Sequence, residues 1–201
     1  MGYFLAPLDP PPIDKCQWIG RFDDPSRSFR TLYCALHPST SLRETLGDLR
    51  PSVQAMHEFE LQFGRPLVRP LPPAWRQSNV LVSARIEIAS GDLLLLDDSS
   101  LRRTLEREPG IRDLLILLKA PRLDIDKIQG LDRRLTQRIA RSLFDRGAAG
   151  IVYRSRYDNE RCAALFEGRA RLVAPGPPKP LIEDSPVLMQ VCQDFDLALT
   201  S

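Results

Sequence analysis

The sequence of 201 residues lacks an apolar run long enough to cross a membrane. Its leucine-rich stretches, residues 93–96 and 114–118, fall far short of the roughly 20 apolar residues that a spanning helix requires. Residues 1–8 also lack the basic start and the apolar stretch of a secretory signal. We therefore expect a cytoplasmic protein without membrane contact.

Residues that bind metals or nucleic acids are scarce or scattered. The chain has four cysteines and two histidines, and no two cysteines stand at the short spacing of a metal knuckle or a redox pair. Lysine is rare, and the arginines between residues 102 and 146 alternate with acidic residues instead of forming one basic stripe. These absences predict no metal site and no direct contact with nucleic acid. No segment has the glycine spacing of a Rossmann or Walker phosphate loop, so a nucleotide would have to be held by side chains in a cleft.

Proline, in contrast, is abundant, and it is concentrated at residues 7–12, 66–73 and 175–186. Because proline has a fixed φ and lacks an N–H group, these segments are expected to separate secondary-structure elements. The last one leads to residues 186–199, where apolar residues recur at helical spacing. We expect this C-terminal helical segment to pack on the domain, and contact with a partner is the alternative.

Between the proline-rich segments, apolar periodicity predicts both strands and helices. Strands are predicted at residues 31–36, 79–88, 93–96 and 150–153, with a hairpin at 162–173 around Glu167 and Gly168. Helices are predicted from Ser41 towards residue 63 with a break at 47–51, at 99–108, and most clearly at 132–146, whereas residues 111–118 fit either type. Since strands and helices do not alternate strictly, we predict a single α+β domain over residues 1–201, with a mixed sheet and flanking helices.

Four polar residues lie in otherwise apolar or tightly structured surroundings. They are Arg21 before Phe22, Tyr33 within a predicted strand, Glu44 near a helix start, and Ser155 at a strand end. Strand ends can hold side chains rigidly at the edge of a cleft. These positions are therefore candidates for a functional site.

Each candidate also has a purely structural interpretation. Ser41 and Glu44 fit a capping box, which would only satisfy the first backbone donors of a helix. Arg21 could pair on the surface with either of the two aspartates that follow it, where such a pair is worth under ~1 kcal/mol. The tyrosine could be a core residue of its strand, and the serine could be a turn residue.

The same residues carry a family resemblance. The matching segments are residues 20–25 (GRFDDP), 31–35 (TLYCA), 42–45 (LRET), 150–156 (GIVYRSR) and 164–166 (ALF). In order and spacing they resemble the RES domain family, which is named for an Arg, a Glu and a Ser, here Arg21, Glu44 and Ser155. The resemblance spans residues 18–173 and leaves residues 174–201, a Pro-rich linker and the C-terminal helical segment, outside it.

The resemblance implies a bacterial toxin with an ADP-ribosyltransferase-like split sheet. It implies an enzyme that degrades NAD as its substrate, uses no cofactor, and is neutralised by a helix-turn-helix antitoxin of the Xre type; a homo-oligomer is left open. Family members commonly have an aromatic and a basic residue upstream of the arginine. Here Tyr3, Phe4, Lys15 and Trp18 give no convincing match.

The chemistry of these residues is compatible with such a reaction. Cleavage between nicotinamide and ribose passes through a cationic, oxocarbenium-like sugar, which a fixed carboxylate such as Glu44 would stabilise. Arg21 would hold the pyrophosphate, and Tyr33 would stack on nicotinamide or orient a ribose hydroxyl. Further substrate-binding residues are assigned at Ser155, Thr136 and Phe22.

The sequence leaves the acceptor open between water, for a glycohydrolase, and phosphate, for a phosphorylase. One alternative is an ADP-ribosyltransferase with a protein side chain as acceptor. Transferases of the related fold often have a second acidic residue close to the catalytic Glu, whereas Arg43 stands in the adjacent position here, which favours the simpler reaction. The other alternative is a non-enzymatic interaction module that binds an acidic partner through its arginines.

Overall fold

The computed structural model describes residues 2–7 and 19–200, so Lys15 and Trp18 lie outside the described residues. Its strands are β1 Gly2–Pro7, β2 Thr31–Ala35, β3 Arg69–Leu71, β4 Asn79–Ile88, β5 Leu93–Leu95, β6 Gly150–Arg154, β7 Arg161–Phe166, β8 Ala170–Val173, β9 Lys179–Pro180 and β10 Leu197–Leu199. Its helices are α1 Pro38–Leu46, α2 Val53–Phe63, α3 Pro73–Ser78, α4 Ser99–Glu106, α5 Pro109–Leu117, α6 Ile125–Gln129, α7 Arg133–Asp145 and α8 Pro186–Asp194. Among these helices, none combines the length and the apolar character needed to cross a bilayer.

The main sheet is mixed and is divided into two halves. Its strand order is β5-β6-β7-β2-β1-β4-β8, with β9 also paired to β4. Strands β5 and β6 are parallel and the other neighbours are antiparallel. At the centre, β1 and β2 share a single residue pair, Tyr3 with Ala35, whereas β1 pairs with β4 along its whole length. The predicted α+β fold with a split sheet and flanking helices is confirmed.

Helix α1 lies at this division and contacts both β1 and β2. It begins at Pro38, where the fixed φ of proline suits the first turn of a helix, and it continues after Leu46 into a 3-10 turn, Gly47–Leu49. Its buried face, Leu42 and Leu46, belongs to an apolar cluster with Leu188 and Val191 of α8. This packing fixes the orientation of the polar face of α1.

The larger apolar cluster fixes the other half of the sheet. Helix α7, the clearest helix of the sequence, begins after its cap Asp132, which accepts a hydrogen bond from the Arg134 backbone N–H at 3.0 Å. Its inner residues Leu135, Ile139 and Leu143 are fully buried against the strands that carry Ile151 and Phe166. The predictions for α7, for β4 and for the helix break after α1 are confirmed, and residues 109–117 are a helix.

Two predictions of secondary structure were wrong. The chain does turn at Glu167 and Gly168, the latter with φ +81°, but β7 pairs with β2 and β6 while β8 pairs with β4, so no hairpin forms. The C-terminal helix ends at Asp194, and Leu197–Leu199 form a strand that pairs in parallel with β3. In both cases a distant strand offers the pairing, which local periodicity does not reveal.

Candidate active site

The loop that carries Arg21 is held in place by Tyr33 of β2. The Tyr33 hydroxyl accepts a hydrogen bond from the Phe22 N–H at 2.8 Å and donates one to Asp23 Oδ1 at 2.8 Å. The other Asp23 oxygen accepts from the Gly20 N–H at 2.6 Å. A Cβ at Gly20 would lie 2.6 Å from the Tyr33 hydroxyl oxygen, so the close approach requires glycine.

Arg21 does not form the surface ion pair considered from the sequence. Its Nη1 donates to the Ile128 carbonyl oxygen at 2.8 Å, while Asp23 bonds Tyr33 and Asp24 bonds Ser26, Ser28 and Arg141. Among the described residues no carboxylate lies within ion-pairing distance of Arg21. Asp23 and Asp24 therefore form hydrogen bonds within and around the loop, and neither neutralises the Arg21 guanidinium.

Glu44 is not part of a capping box. Helix α1 begins three residues before Ser41, with His37 as its N-cap and no side-chain capping bond. Glu44 is therefore an interior residue of the helix. Its Oε1 atom is buried and has no hydrogen-bond partner within residues 2–7 and 19–200. A buried carboxylate oxygen without a partner is costly, about 1–3 kcal/mol, which is typical of an atom kept for a ligand.

Arg21, Tyr33 and Glu44 line one cavity of about 280 Å³. A smaller cavity of about 100 Å³ adjoins it where β1 and β2 diverge, and Tyr33, Glu44, Thr45 and Tyr153 belong to both. The other described residues of the larger cavity are Gly20, Asp48, Gly130, Leu131, Arg133, Arg156 and Tyr157. The three residues to which the sequence assigned catalysis are thus brought together, around a hollow with carboxylate, guanidinium and phenol groups.

The tyrosines of the cavity are kept protonated by their surroundings. Burial raises the pKa of the Tyr33 hydroxyl well above its ordinary value of 10.0, and the charge of Asp23 raises it further. Burial also raises the pKa of Tyr153 well above that value, with added contributions from Cys162 and Glu44. Both phenols therefore stay neutral hydrogen-bonding groups next to the carboxylate at physiological pH.

Phe22, Thr136 and Ser155 are fully buried and do not line either cavity. Each one lies behind a residue that does. The Phe22 ring packs 4.8 Å from the Tyr153 ring, the Thr136 hydroxyl donates to the Arg133 carbonyl oxygen at 3.1 Å, and Ser155 Oγ accepts from the Tyr157 N–H at 3.2 Å. Direct substrate contact by these three stays a prediction, and in the structure they contact lining residues from behind.

The sequence interpretation missed five ionisable lining residues: Asp48, Arg133, Tyr153, Arg156 and Tyr157. A signal was present for the last three, because they flank Ser155 at the end of a strand. For Tyr153 the signal was its alternation with Ile151, which places both on the buried face of β6. Asp48 and Arg133 carried no local signal, since they reach the cavity from a 3-10 turn and from the first residue of α7.

Comparisons with known proteins bear on the family and the fold. The family model described as RES domain matches residues 6–184. No curated protein matches the sequence significantly. Among solved structures, a chain from the crystal structure of the M. tuberculosis MbcT-MbcA toxin-antitoxin complex has a similar fold, with a TM-score of 0.50 and 11% sequence identity. The similarity covers 97% of this chain and 87% of that one.

Proposed function

The chain belongs to the RES domain family, and from that premise we propose that it cleaves NAD at the bond between nicotinamide and ribose. The observation that carries the proposal is the Glu44 carboxylate, whose Oε1 is buried without a partner among the described residues, in a cavity shared with Arg21 and Tyr33. The site offers an anionic group where the reaction develops positive charge.

Glu44 stabilises the transition state. As the bond to nicotinamide breaks, the ribose becomes oxocarbenium-like, and a fixed carboxylate next to it interacts more strongly with this cation than with the ground state. Because the carboxylate oxygen is already out of water, little solvent has to be reorganised when the charge develops. Removing such a group costs about 100- to 1,000-fold in rate.

The neighbouring side chains orient the dinucleotide. Tyr33 and Tyr153 line the cavity beside Glu44 as neutral phenols. Because the Tyr33 hydroxyl is engaged with the Phe22 N–H and Asp23, its aromatic ring is the group offered to nicotinamide. Arg21, anchored by one nitrogen to the Ile128 carbonyl, provides a fixed guanidinium for the pyrophosphate. A bound substrate held at several points reacts as an intramolecular complex.

The site favours a small-molecule acceptor, either water or phosphate, over a protein side chain, although Asp48 supplies a second carboxylate to the same cavity. Arg43, which stands where a second acidic residue would be, is engaged elsewhere in ion pairs with Asp158 and Asp194. It therefore contributes no group that could activate a protein acceptor at the cavity. A glycohydrolase or a phosphorylase needs no such group from this position.

We propose further that the protein acts in the cytoplasm as the toxin of a toxin–antitoxin pair, with an antitoxin of the helix-turn-helix Xre type. Membership of the family supports this role. The similar fold of a chain from the M. tuberculosis toxin–antitoxin complex is consistent with it. Loss of NAD would account for toxicity, and a bound antitoxin would have to prevent it.

The test is release of nicotinamide from NAD by the purified protein, with and without inorganic phosphate, compared with Glu44→Gln. Glu60→Gln, an exposed position on α2 outside the cavity, is the matched control. We expect release by the wild type and the control, and a rate about 100- to 1,000-fold lower for Glu44→Gln. The proposal is rejected if the wild type releases no nicotinamide at stoichiometric enzyme, or if Glu44→Gln retains the full rate. Labelled ADP-ribose retained on a protein would instead indicate transfer.

A further inference from the structure

Two arginines of the cavity have no role in the scheme above. Arg133 is the first residue of α7 and Arg156 follows β6, so they reach the cavity from different elements. The Arg133 side chain is 45% exposed, and Arg156 is exposed. Both therefore stand where the cavity opens to solvent.

Arg133 is oriented but only weakly paired. Its Nη1 donates to the Ile19 carbonyl oxygen in the loop before Arg21, which fixes the plane of the guanidinium. Its Nη2 lies 4.0 Å from Asp48 Oδ2, and the Asp48 side chain is 89% exposed. An exposed ion pair at this distance contributes little to stability, so a better anionic partner can replace Asp48 at small cost.

The Arg156 guanidinium is available to pair with an anionic ligand. Within the described ranges no carboxylate lies within ion-pairing distance of its guanidinium, which instead lies 5.6 Å from the centre of the Tyr157 ring. Tyr157 lines the same cavity and packs 5.4 Å from Phe195. The guanidinium is thus held over a fixed aromatic surface, a geometry that Arg forms readily and that leaves its N–H donors for a ligand.

The charge balance of the cavity indicates the kind of ligand. Arg21, Arg133 and Arg156 face two carboxylates, Glu44 and Asp48, for a net charge of +1. If Arg21 were the only arginine of the cavity, the net charge would be −1. This charge would repel the dianionic pyrophosphate and so keep the adjoining ribose away from the Glu44 carboxylate. The two outer arginines reverse the sign of the potential at the opening.

We propose that Arg133 and Arg156 bind the pyrophosphate of the dinucleotide at the opening of the cavity, and that a phosphate oxygen replaces Asp48 as the partner of Arg133. This inference rests on the proposed cleavage of NAD and specifies how NAD is selected over nucleosides. Paired guanidinium groups bind phosphate oxygens through charge-assisted, frequently bidentate hydrogen bonds. Arg133 and Arg156 strengthen binding of the pyrophosphate, which is remote from the bond that breaks, while Glu44 acts at the ribose.

The experiment compares the wild type, Arg133→Gln, Arg156→Gln, the double variant and Asp48→Asn. Arg134→Gln is the matched control, because Arg134 is the next residue of α7, pairs with Asp132 and lies outside both cavities. Affinity for ADP-ribose is measured by calorimetry, and nicotinamide release is measured with NAD and with nicotinamide riboside, which has no phosphate. We expect each single arginine variant to bind ADP-ribose about 10- to 100-fold more weakly.

With NAD, the loss should lie mainly in KM, since the pyrophosphate contacts are the same in the ground state and the transition state. Cleavage of nicotinamide riboside, a cation without phosphate, by the double variant should not fall below that of the wild type, and Asp48→Asn should bind ADP-ribose more tightly. Equal losses with NAD and the riboside, or unchanged ADP-ribose affinity in the double variant, would overturn the assignment.

The two proposals fail separately. If the wild type binds ADP-ribose through these arginines but releases no nicotinamide, the cleavage reaction is rejected and the anion site stands. If the wild type cleaves NAD and the double variant cleaves it equally well with an unchanged KM, the anion site is rejected and the reaction stands.

Discussion

At the scale of single residues, the role proposed for Glu44 comes at a cost in stability. Its buried Oε1 has no hydrogen-bond partner among the described residues, so the folded protein is less stable than it would be with an apolar side chain there. We predict that Glu44→Met raises the free energy of unfolding by about 1 kcal/mol while abolishing nicotinamide release. Thermal unfolding of this variant beside Glu60→Met, on an exposed part of α2, would check it. A lower melting temperature for Glu44→Met than for the wild type would contradict the prediction.

Asp24 makes the arginine loop sensitive to acid. Burial alone would raise the pKa of this carboxyl, but hydrogen bonds from Ser26 and Ser28 outweigh it and lower the pKa below the ordinary 3.8. The stabilisation is therefore complete above pH 3.8 and is lost as the pH falls through the lower pKa of the folded state.

We predict that Asp24→Asn lowers the free energy of unfolding by about 1–3 kcal/mol at neutral pH, because its single amide oxygen can accept the bond from only one of the Ser26 and Ser28 backbone N–H groups, which bind different carboxylate oxygens. The difference from the wild type should shrink as the pH falls below 3.8. Urea unfolding across this range measures both effects. A difference that stays constant with pH would show that the charge of Asp24 has no part in it.

At the scale of elements, the end of α1 is fitted to the cavity through Gly47. A Cβ at this position would lie 1.9 Å from the Tyr157 hydroxyl oxygen, and the Tyr157 ring is packed against Phe195. Alanine in a helical conformation would gain about 0.5–1 kcal/mol over glycine, but overpacking costs about 1–3 kcal/mol. We predict that Gly47→Ala is destabilising.

The cause can be isolated by a double-mutant cycle with Tyr157→Ala. In that background the collision is removed, so Gly47→Ala should become neutral or stabilising, with a coupling energy of at least about 0.5 kcal/mol. Free energies of unfolding for the four proteins give the value. Additive effects would mean that Gly47 is required for a reason other than the approach of Tyr157.

The elements also show what the sequence can and cannot predict. Helix α7 and strand β4 were predictable because their apolar periodicity is complete within the segment. The turn at Gly168 was predictable from its residues. The strand that pairs with β8 was not, since strand pairing depends on residues far away in the sequence. Likewise, family motifs identified Arg21, Tyr33 and Glu44, whereas Arg133 reaches the cavity only because α7 begins beside the arginine loop.

At the scale of the whole molecule, the C-terminal segment supports helix α1, which carries Glu44, although the family match ends at residue 184. Leu188 and Val191 of α8 are fully buried in the cluster that contains Leu42 and Leu46 of α1. Arg43 of α1 pairs with Asp194 at the end of α8. Strand β10 then pairs with β3, and Arg76 of α3 donates to the Thr200 carbonyl oxygen. The position of Glu44 thus depends on residues that follow the family match, beyond residue 184.

Two adjacent positions of α8 test this dependence. Leu188 is fully buried and Met189 is 51% exposed, so the same truncation has different consequences one residue apart. We predict that Leu188→Ala lowers the free energy of unfolding by about 2–5 kcal/mol, the cost of a core cavity, and that Met189→Ala changes it by less than about 0.5 kcal/mol. Because the cavity formed by Leu188→Ala lies directly under α1, nicotinamide release should also fall at temperatures where the variant is still folded. If Leu188→Ala were as stable and as active as Met189→Ala, the C-terminal segment would be an appendage and not part of the support for Glu44.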